Sequence, residues 1–230
     1  MEKKKLVILT GAGMSAESGI STFRDQDGLW ENHRIEDVAS PEGFAKNPTL
    51  VHEFYNQRRK NVVEVKPHQG FYDLVELEKE YQVQIITQNI DDLHERAGSS
   101  SILHLHGEIL KARSTINPNH VIPWTQDLTV DSRSPEGEPL RPHIVWFGEA
   151  VPALETAAQM VSEADLLFII GTSLQVYPAA SLHHYAPPRC EKHYFDPKTS
   201  QLQDSSFHCH PVLASQAIAS WKNYSLNQGK

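Results

Sequence analysis

What this chain can fold into is constrained most by three short apolar runs, each of which stops at a polar or glycine-bearing loop. Leu6-Val7-Ile8-Leu9 ends at Thr10-Gly11, Val83-Gln84-Ile85-Ile86-Thr87 leads into Gln88-Asn89, and Leu166-Leu167-Phe168-Ile169-Ile170 stops at Gly171. Continuous apolar runs of this length read as parallel strands buried on both faces. Between them, Thr49 to Val63 and Gly70 to Tyr81 have helical character, and Ser15-Ala16-Glu17-Ser18 reads as a helix start. Alternating strands and helices predict an α/β fold whose ligands gather at the carboxyl ends of the strands, the edge at which all three loops lie. A chain of 230 residues accommodates this as a single domain over 1–230.

From Arg113 to Pro142 the texture changes. Asn117-Pro118-Asn119, Pro123-Trp124 and Asp131 to Gly137 are rich in turn formers, which predicts a small lobe at about 113–142 set apart from the main sheet. The formal net charge of −8 argues against a basic nucleic-acid surface; it suits a solvated acidic exterior or attraction to basic, lysine-bearing segments. Leu6 to Leu9 is shorter than the roughly 7–15 apolar residues of a secretory core, and no stretch approaches the ~18 of a membrane span. A soluble cytoplasmic protein without a membrane partner is expected. Cys190 and Cys209 are too far apart for a CxxC metal half-site and read as incidental thiols.

The first strand leads into Gly11-Ala12-Gly13 and a helix start, an arrangement that lets backbone approach a dinucleotide pyrophosphate. The third glycine of GxGxxG is replaced by Ala16, so taken alone the segment suits an ordinary tight turn equally well. Gln88, Asn89 and Asp91 follow a strand end, where they suit either ribose and carboxamide recognition or a polar loop cap.

The continuation decides between these readings. Gly11 to Arg24 meets the pattern GAGxSxxSGIxxFR at every specified position. It is followed in order by Thr87-Gln88-Asn89-Ile90-Asp91 with Leu93-His94, by His104-Leu105-His106-Gly107, by Val145-Trp146-Phe147-Gly148-Glu149, and by Gly171-Thr172-Ser173 with Val176-Tyr177-Pro178. In these blocks the chain resembles the sirtuins, NAD-dependent protein-lysine deacylases. The resemblance implies a Rossmann-like parallel sheet with helices on both faces, a small inserted lobe, and a helical insertion at about 30–68. It implies that NAD is consumed as co-substrate, giving nicotinamide, O-acyl-ADP-ribose and free lysine. Gly11, Ala12, Gly13, Ser15, Ala16, Phe23, Arg24, Gln88, Asn89, Asp91, Gly171, Thr172 and Ser173 would contact NAD, with Asp196 at the adenosine ribose and Val212 in the last cofactor loop. Of 13 histidines, His106 of the His-Gly signature takes the general-base role ahead of His94 and His104. Val145, Phe147, Gly148 and Glu149 on one side, and Val176 and Tyr177 on the other, would hold the acyl-lysine peptide as an added strand.

Tyr55 and Arg58 lie three apart on the predicted helix and resemble the Tyr-x-x-Arg pair of the sirtuin subgroup that removes succinyl, malonyl and glutaryl groups. A guanidinium fork beside a phenol suits a carboxylate, and a small Ala16 leaves room for it. Helical spacing alone does not separate Arg58 from Arg59, and without the family both read as a basic pair on a solvated face. The chain departs from most relatives in having no cysteine between Arg113 and Pro142, so no zinc is expected and the lobe would be packed by Ile116, Val121, Ile122, Trp124 and Leu128. Two further functions share the cofactor site: ADP-ribosyl transfer to protein, disfavoured by His106 and the Tyr55/Arg58 pair, and non-catalytic NAD sensing.

Overall fold

The computed structural model describes residues 3–21, 29–30, 33–199 and 204–228. The chain opens with β1 (Lys5–Thr10) and the short helix α1 (Ala12–Ala16), which begins earlier than the sequence reading placed it. After the two-residue strands β2 (Leu29–Trp30) and β3 (His33–Arg34) come α2 (Ile35–Val38), α3 (Pro41–Lys46), α4 (Pro48–Glu64) and α5 (Gln69–Leu77). The starts of α3 and α4 are written locally. Each has proline at its first position, preceded by Ser40 or Asn47, whose side chain accepts the backbone N–H of Gly43 or Leu50. There follow β4 (Gln82–Thr87), α6 (Leu93–Ala97), β5 (Ile102–His104), β6 (Gly107–Ser114), β7 (Val121–Pro123), β8 (Leu140–Ile144), α7 (Leu154–Ser162), β9 (Leu166–Ile170), β10 (Glu191–Phe195), β11 (Phe207–His210) and α8 (Ala217–Gln228).

The main sheet has the order β11-β10-β9-β1-β4-β5, with every pairing parallel. Residues of β1 alternate between two cores: Leu6 and Ile8 pack with Phe71, Leu74, Ile218 and Trp221, whereas Val7 and Leu9 pack with Ala157, Val161 and Leu182. Burial on both faces is why these strands read as unbroken apolar runs. The chain proceeds from β1 to β4 and β5 on one side, and β9, β10 and β11 lie on the other. The crevice at this reversal of direction, at the carboxyl ends of β1 and β9, is where α/β sheets bind ligands.

The lobe is a three-stranded antiparallel sheet, β7-β6-β8, whose strands extend from Gly107 to Ile144, beyond the turn-rich stretch. Its core is thin: Ala112, Leu128 and Leu140, with Ile122 and Trp124 against them. Ile116, expected in that core, is 70% exposed, because it sits in the turn after β6, where Ser114 Oγ accepts the N–H groups of Ile116 and Asn117. A second serine-centred turn mirrors it, with Ser134 Oγ accepting the N–H groups of Glu136 and Glu138, and His120 bridges to Glu138 at 2.8 Å. Helix α4 clamps the lobe to the sheet. Asn56 exchanges two 2.8 Å hydrogen bonds with the backbone of Leu128, and Arg59 Nε donates to the Ile109 carbonyl at 3.0 Å.

Candidate active site

A cleft of about 800 Å³ runs along the carboxyl edge of the sheet and under the lobe. It brings together Gly11, Ala12, Gly13, Ser15, Gln88, Asn89, Asp91, His106, Gly171, Thr172, Ser173 and Asp196 with Tyr55, Arg58, Val145, Phe147, Gly148, Glu149, Val176 and Tyr177. Ala16 and Val212 are not among its lining residues. Ala16 is half-buried at the end of α1, and Val212 packs against the core with its N–H on the His210 carbonyl. Phe23 and Arg24 lie outside the described residues.

At one end of the cleft, the loops after β1 and β9 press against each other. A Cβ on Gly13 would lie 2.8 Å from the Gly171 Cα, and one on Gly11 would lie 2.5 Å from the Thr172 Cβ. Gly13 N–H donates to the Gly171 carbonyl at 2.8 Å, and Gly171 itself has φ of 62°, a left-handed conformation that glycine adopts without strain. The glycines therefore serve loop-on-loop packing as well as leaving backbone open to the cleft. Across the same space, Asn89 Nδ2 donates to the Gly11 carbonyl at 2.9 Å and to Ser15 Oγ at 2.8 Å, and Ser15 donates to Asp91 at 2.8 Å. Burial pushes the Asp91 carboxyl up, while the bonds from Ser15 and the Leu93 N–H hold it down. Gln88 Nε2 donates to Thr172 Oγ1 at 3.1 Å, joining the loops after β4 and β9. Lys198 lines the cleft beside Asp196, whose Oδ1 accepts the Lys198 N–H.

His106 sits between β5 and β6 at the middle of the cleft. Its Nδ1 is 3.0 Å from the Gln88 carbonyl oxygen, which can only accept, so Nδ1 carries the proton and the neutral ring keeps its lone pair on Nε2. Burial lowers its pKa below the ordinary histidine value, partly offset by that bond. Neither His94 nor His104 lines the cleft. His94 is buried against Thr10 Oγ1 and pushed down to about 4, whereas His104 spans the Asn89 carbonyl and Glu95, and the Glu95 carboxylate raises its pKa against the effect of burial.

At the other end, Tyr55 is fully buried and Arg58 is 7% exposed, and both line the cleft. The alternative of a basic pair on a solvated face is overturned for both arginines. Arg59 is 1% exposed and points away from the cleft, into the joint between α4 and the lobe, where it donates to Ile109 and Asn56. Burial lowers its pKa to about 10. Tyr55 Oη accepts the Trp146 indole N–H at 3.0 Å, and burial drives the phenol pKa well up. Arg141 lies over the Trp146 ring at 3.3 Å. The Glu149 carboxylate accepts from Arg141 at 2.7 Å, from Arg113 at 3.0 Å and from the Trp146 N–H at 2.8 Å, so its charge is spent inside the protein.

The model of the Sir2 family matches residues 11–178, well over half of the chain. The chain belongs to the Sir2 family. It is 61% identical over 195 residues to a Helicobacter pylori NAD-dependent protein deacylase, covering 85% of each chain. It is 52% identical over 226 residues to a Bacteroides thetaiotaomicron protein of the same name, covering 95% and 97%. Among solved structures it is similar to a Sir2 homolog–NAD complex, with a TM-score of 0.84 at 35% identity over 99% of this chain and 91% of that one. A mutant Sir2 homologue bound to ADP-ribose gives 0.85 at 37% identity, over 98% and 95%.

Within this Sir2 fold, sequence reasoning missed Trp146 and Arg141. Trp146 stood inside a quoted block, but its neighbours drew attention for their backbone. Arg141 carries no local signal, because it meets Trp146 and Glu149 only after β8 turns toward the cleft. Among the described residues no helix is long and apolar enough to cross a membrane.

Proposed function

We propose that this protein is an NAD-dependent protein-lysine deacylase that consumes NAD as co-substrate and removes succinyl and malonyl groups in preference to acetyl. The observation that carries the reading is one cleft holding, in order, a glycine-lined polar end, a histidine with its lone pair on Nε2, and a buried Tyr55/Arg58 pair. The names of the relatives and the NAD and ADP-ribose complexes among its structural neighbours support the first half.

The residues present fit such a co-substrate. Gly11 and Gly13 with Ala12, and Gly171 with the small Thr172 and Ser173, leave room for phosphates beside the backbone, Asp196 offers a carboxylate for ribose hydroxyls, and Asn89 and Asp91 a network already fixed before binding. NAD supplies an activated ribose carbon and a leaving nicotinamide. His106 accepts a proton from a ribose hydroxyl at Nε2, its tautomer set by the Gln88 carbonyl. The depressed pKa keeps the ring neutral, and so able to act as a base, at and below neutral pH. Val145, Phe147 and Gly148 on one side and Val176-Tyr177 on the other line the cleft, with Phe147 45% and Tyr177 73% exposed, and would hold a peptide between them.

Acid selectivity follows from charge. Arg58 lines the cleft with Tyr55, and the Arg141–Glu149 ion pair acts on the same phenol, an arrangement that supports recognition of an added carboxylate by Arg58. A hydrogen bond to a charged group contributes about 1.5–3 kcal/mol, so Arg58→Met should lower kcat/KM for a succinyl-lysine peptide by roughly 10- to 100-fold. The matched acetyl peptide should be little affected. Equal losses on both peptides would remove Arg58 from acyl recognition.

A further inference from the structure

Two histidines on one short stretch of chain hold successive carbonyls of the loop after β4. His106 Nδ1 donates to the Gln88 carbonyl at 3.0 Å, and His104 Nδ1 lies 3.0 Å from the Asn89 carbonyl, which can only accept. On its other side, His104 Nε2 is 2.7 Å from Glu95 Oε1 on α6. A carbonyl at one nitrogen and a carboxylate at the other make the ring a donor at both. Burial works against that charged form, and the Glu95 carboxylate outweighs it. The side chain is 8% exposed, so its nitrogens depend on these partners rather than on water. The neighbouring loop groups have anchors of their own: the Asn89 N–H donates to Thr87 Oγ1 at 3.1 Å, and the Ile90 carbonyl accepts from the Ile109 N–H at 2.8 Å. Because each peptide unit is planar, only the two backbone torsions of Asn89 separate its carbonyl from that of Gln88, on which the tautomer of His106 depends.

We propose that His104, braced at Nε2 by Glu95, is a positioning residue that fixes the Asn89 carbonyl and, through it, the Gln88 carbonyl that keeps the His106 lone pair on Nε2. The proposal rests on the deacylase reading with His106 as base and is independent of acyl preference. His104 does not line the cleft, so its loss would act through the loop and not through a lost substrate contact.

The test uses two substitutions that each keep one half of the imidazole. Asparagine places an amide nitrogen where Nδ1 stood and keeps a donor for Asn89, whereas glutamine reaches Glu95 from the Nε2 position and loses that donor. On purified protein at saturating NAD, His104→Gln should lower kcat on an acyl-lysine peptide by roughly 3- to 10-fold, as expected for one hydrogen bond, with peptide KM unchanged within a factor of about two. His104→Asn should stay within about twofold of the parent. Nitrogen-15 NMR of labelled histidines, with His106 assigned by its loss in His106→Ala, should show the Nδ1–H tautomer in the parent and in His104→Asn, and a mixture of tautomers in His104→Gln. The reverse order, with glutamine restoring and asparagine failing, or equal losses in both, would make His104 a tie between α6 and β5 and overturn the proposal. Parental kcat and tautomer in both variants would overturn it too. A parent that forms no O-acyl-ADP-ribose from any acyl peptide would overturn the deacylase reading and with it the catalytic use of this contact, whereas an active parent whose His106 is indifferent to both changes would overturn this inference alone.

Discussion

The two ends of the cleft are built by different means. The end proposed for the nucleotide is made by backbone: loops at the carboxyl ends of β1, β4 and β9, glycines that let two of them touch, and a short relay from Asn89 through Ser15 to Asp91. The end proposed for the acyl chain is made by side chains from α4, β8 and the loop that follows β8, where Tyr55, Trp146, Arg141 and Glu149 hold one another across the joint between sheet and lobe. The first is a property of the fold and leaves little freedom to vary. The second is a lining that can change chemistry without disturbing the sheet, and here it includes Tyr55 and Arg58.

The contrast is sharpened by changes that fall on one end only. The largest effect is expected in the middle, where both ends meet the chemistry. General-base catalysis contributes about 10²- to 10⁴-fold, so His106→Ala should lower turnover by that factor on every acyl peptide while ADP-ribose binding, read by calorimetry, persists. In the parent, the acidic limb of kcat/KM should fall below the ordinary histidine pKa of about 6.5, because burial favours the neutral base. Activity is then lost only as the pH falls through that depressed value.

Next comes the nucleotide end. Gly13→Val drives a side chain into the Gly171 backbone, and overpacking of about 1–3 kcal/mol should weaken ADP-ribose binding by roughly 5- to 150-fold. The ratio of succinyl to acetyl turnover at saturating NAD should stay at the parent value. A changed ratio would break the separation of the two ends.

The smallest effect on activity is expected at Arg59. Helical spacing cannot tell it from Arg58, and as a solvated residue it would have been a neutral control. Its place in the joint makes Arg59→Met a stability variant instead: leaving the Ile109 carbonyl without the guanidinium, and Asn56 Oδ1 with the Leu128 N–H alone, should cost about 1–3 kcal/mol in denaturant unfolding. The acyl ratio should be unchanged. Unaltered stability would mean that the joint does not need the guanidinium.

The same contrast governs what could be read from the chain alone. Apolar runs in β1 and β9, and in β4 apart from Gln84, exist because both faces are buried, so the sheet and its ligand edge were visible in local pattern, and the ordered signatures pointed to the family. The lobe was visible only as turn-rich texture. Its strands start at Gly107, and Ile116 faces solvent, because serine-centred turns set the path of the chain there more than apolar packing does. The stacking of Arg141 on Trp146 and the pairing of Glu149 with Arg113, 36 residues away, appear only in the folded chain. Arg141, Trp146 and Glu149 share a short window, but spacing alone does not show that they touch, and Arg113 lies outside it.

The central claim is that a fold-determined nucleotide end is joined to an acyl end that selects for negative charge. It is tested most directly by kcat/KM of the unmodified protein on one peptide carrying acetyl-, succinyl-, malonyl- or glutaryl-lysine, with O-acyl-ADP-ribose followed as product. A charged hydrogen bond of about 1.5–3 kcal/mol predicts succinyl and malonyl values roughly 10- to 100-fold above acetyl. Acetyl turnover equal to or above succinyl would contradict the claim, whatever the cleft's resemblance to an acid clamp.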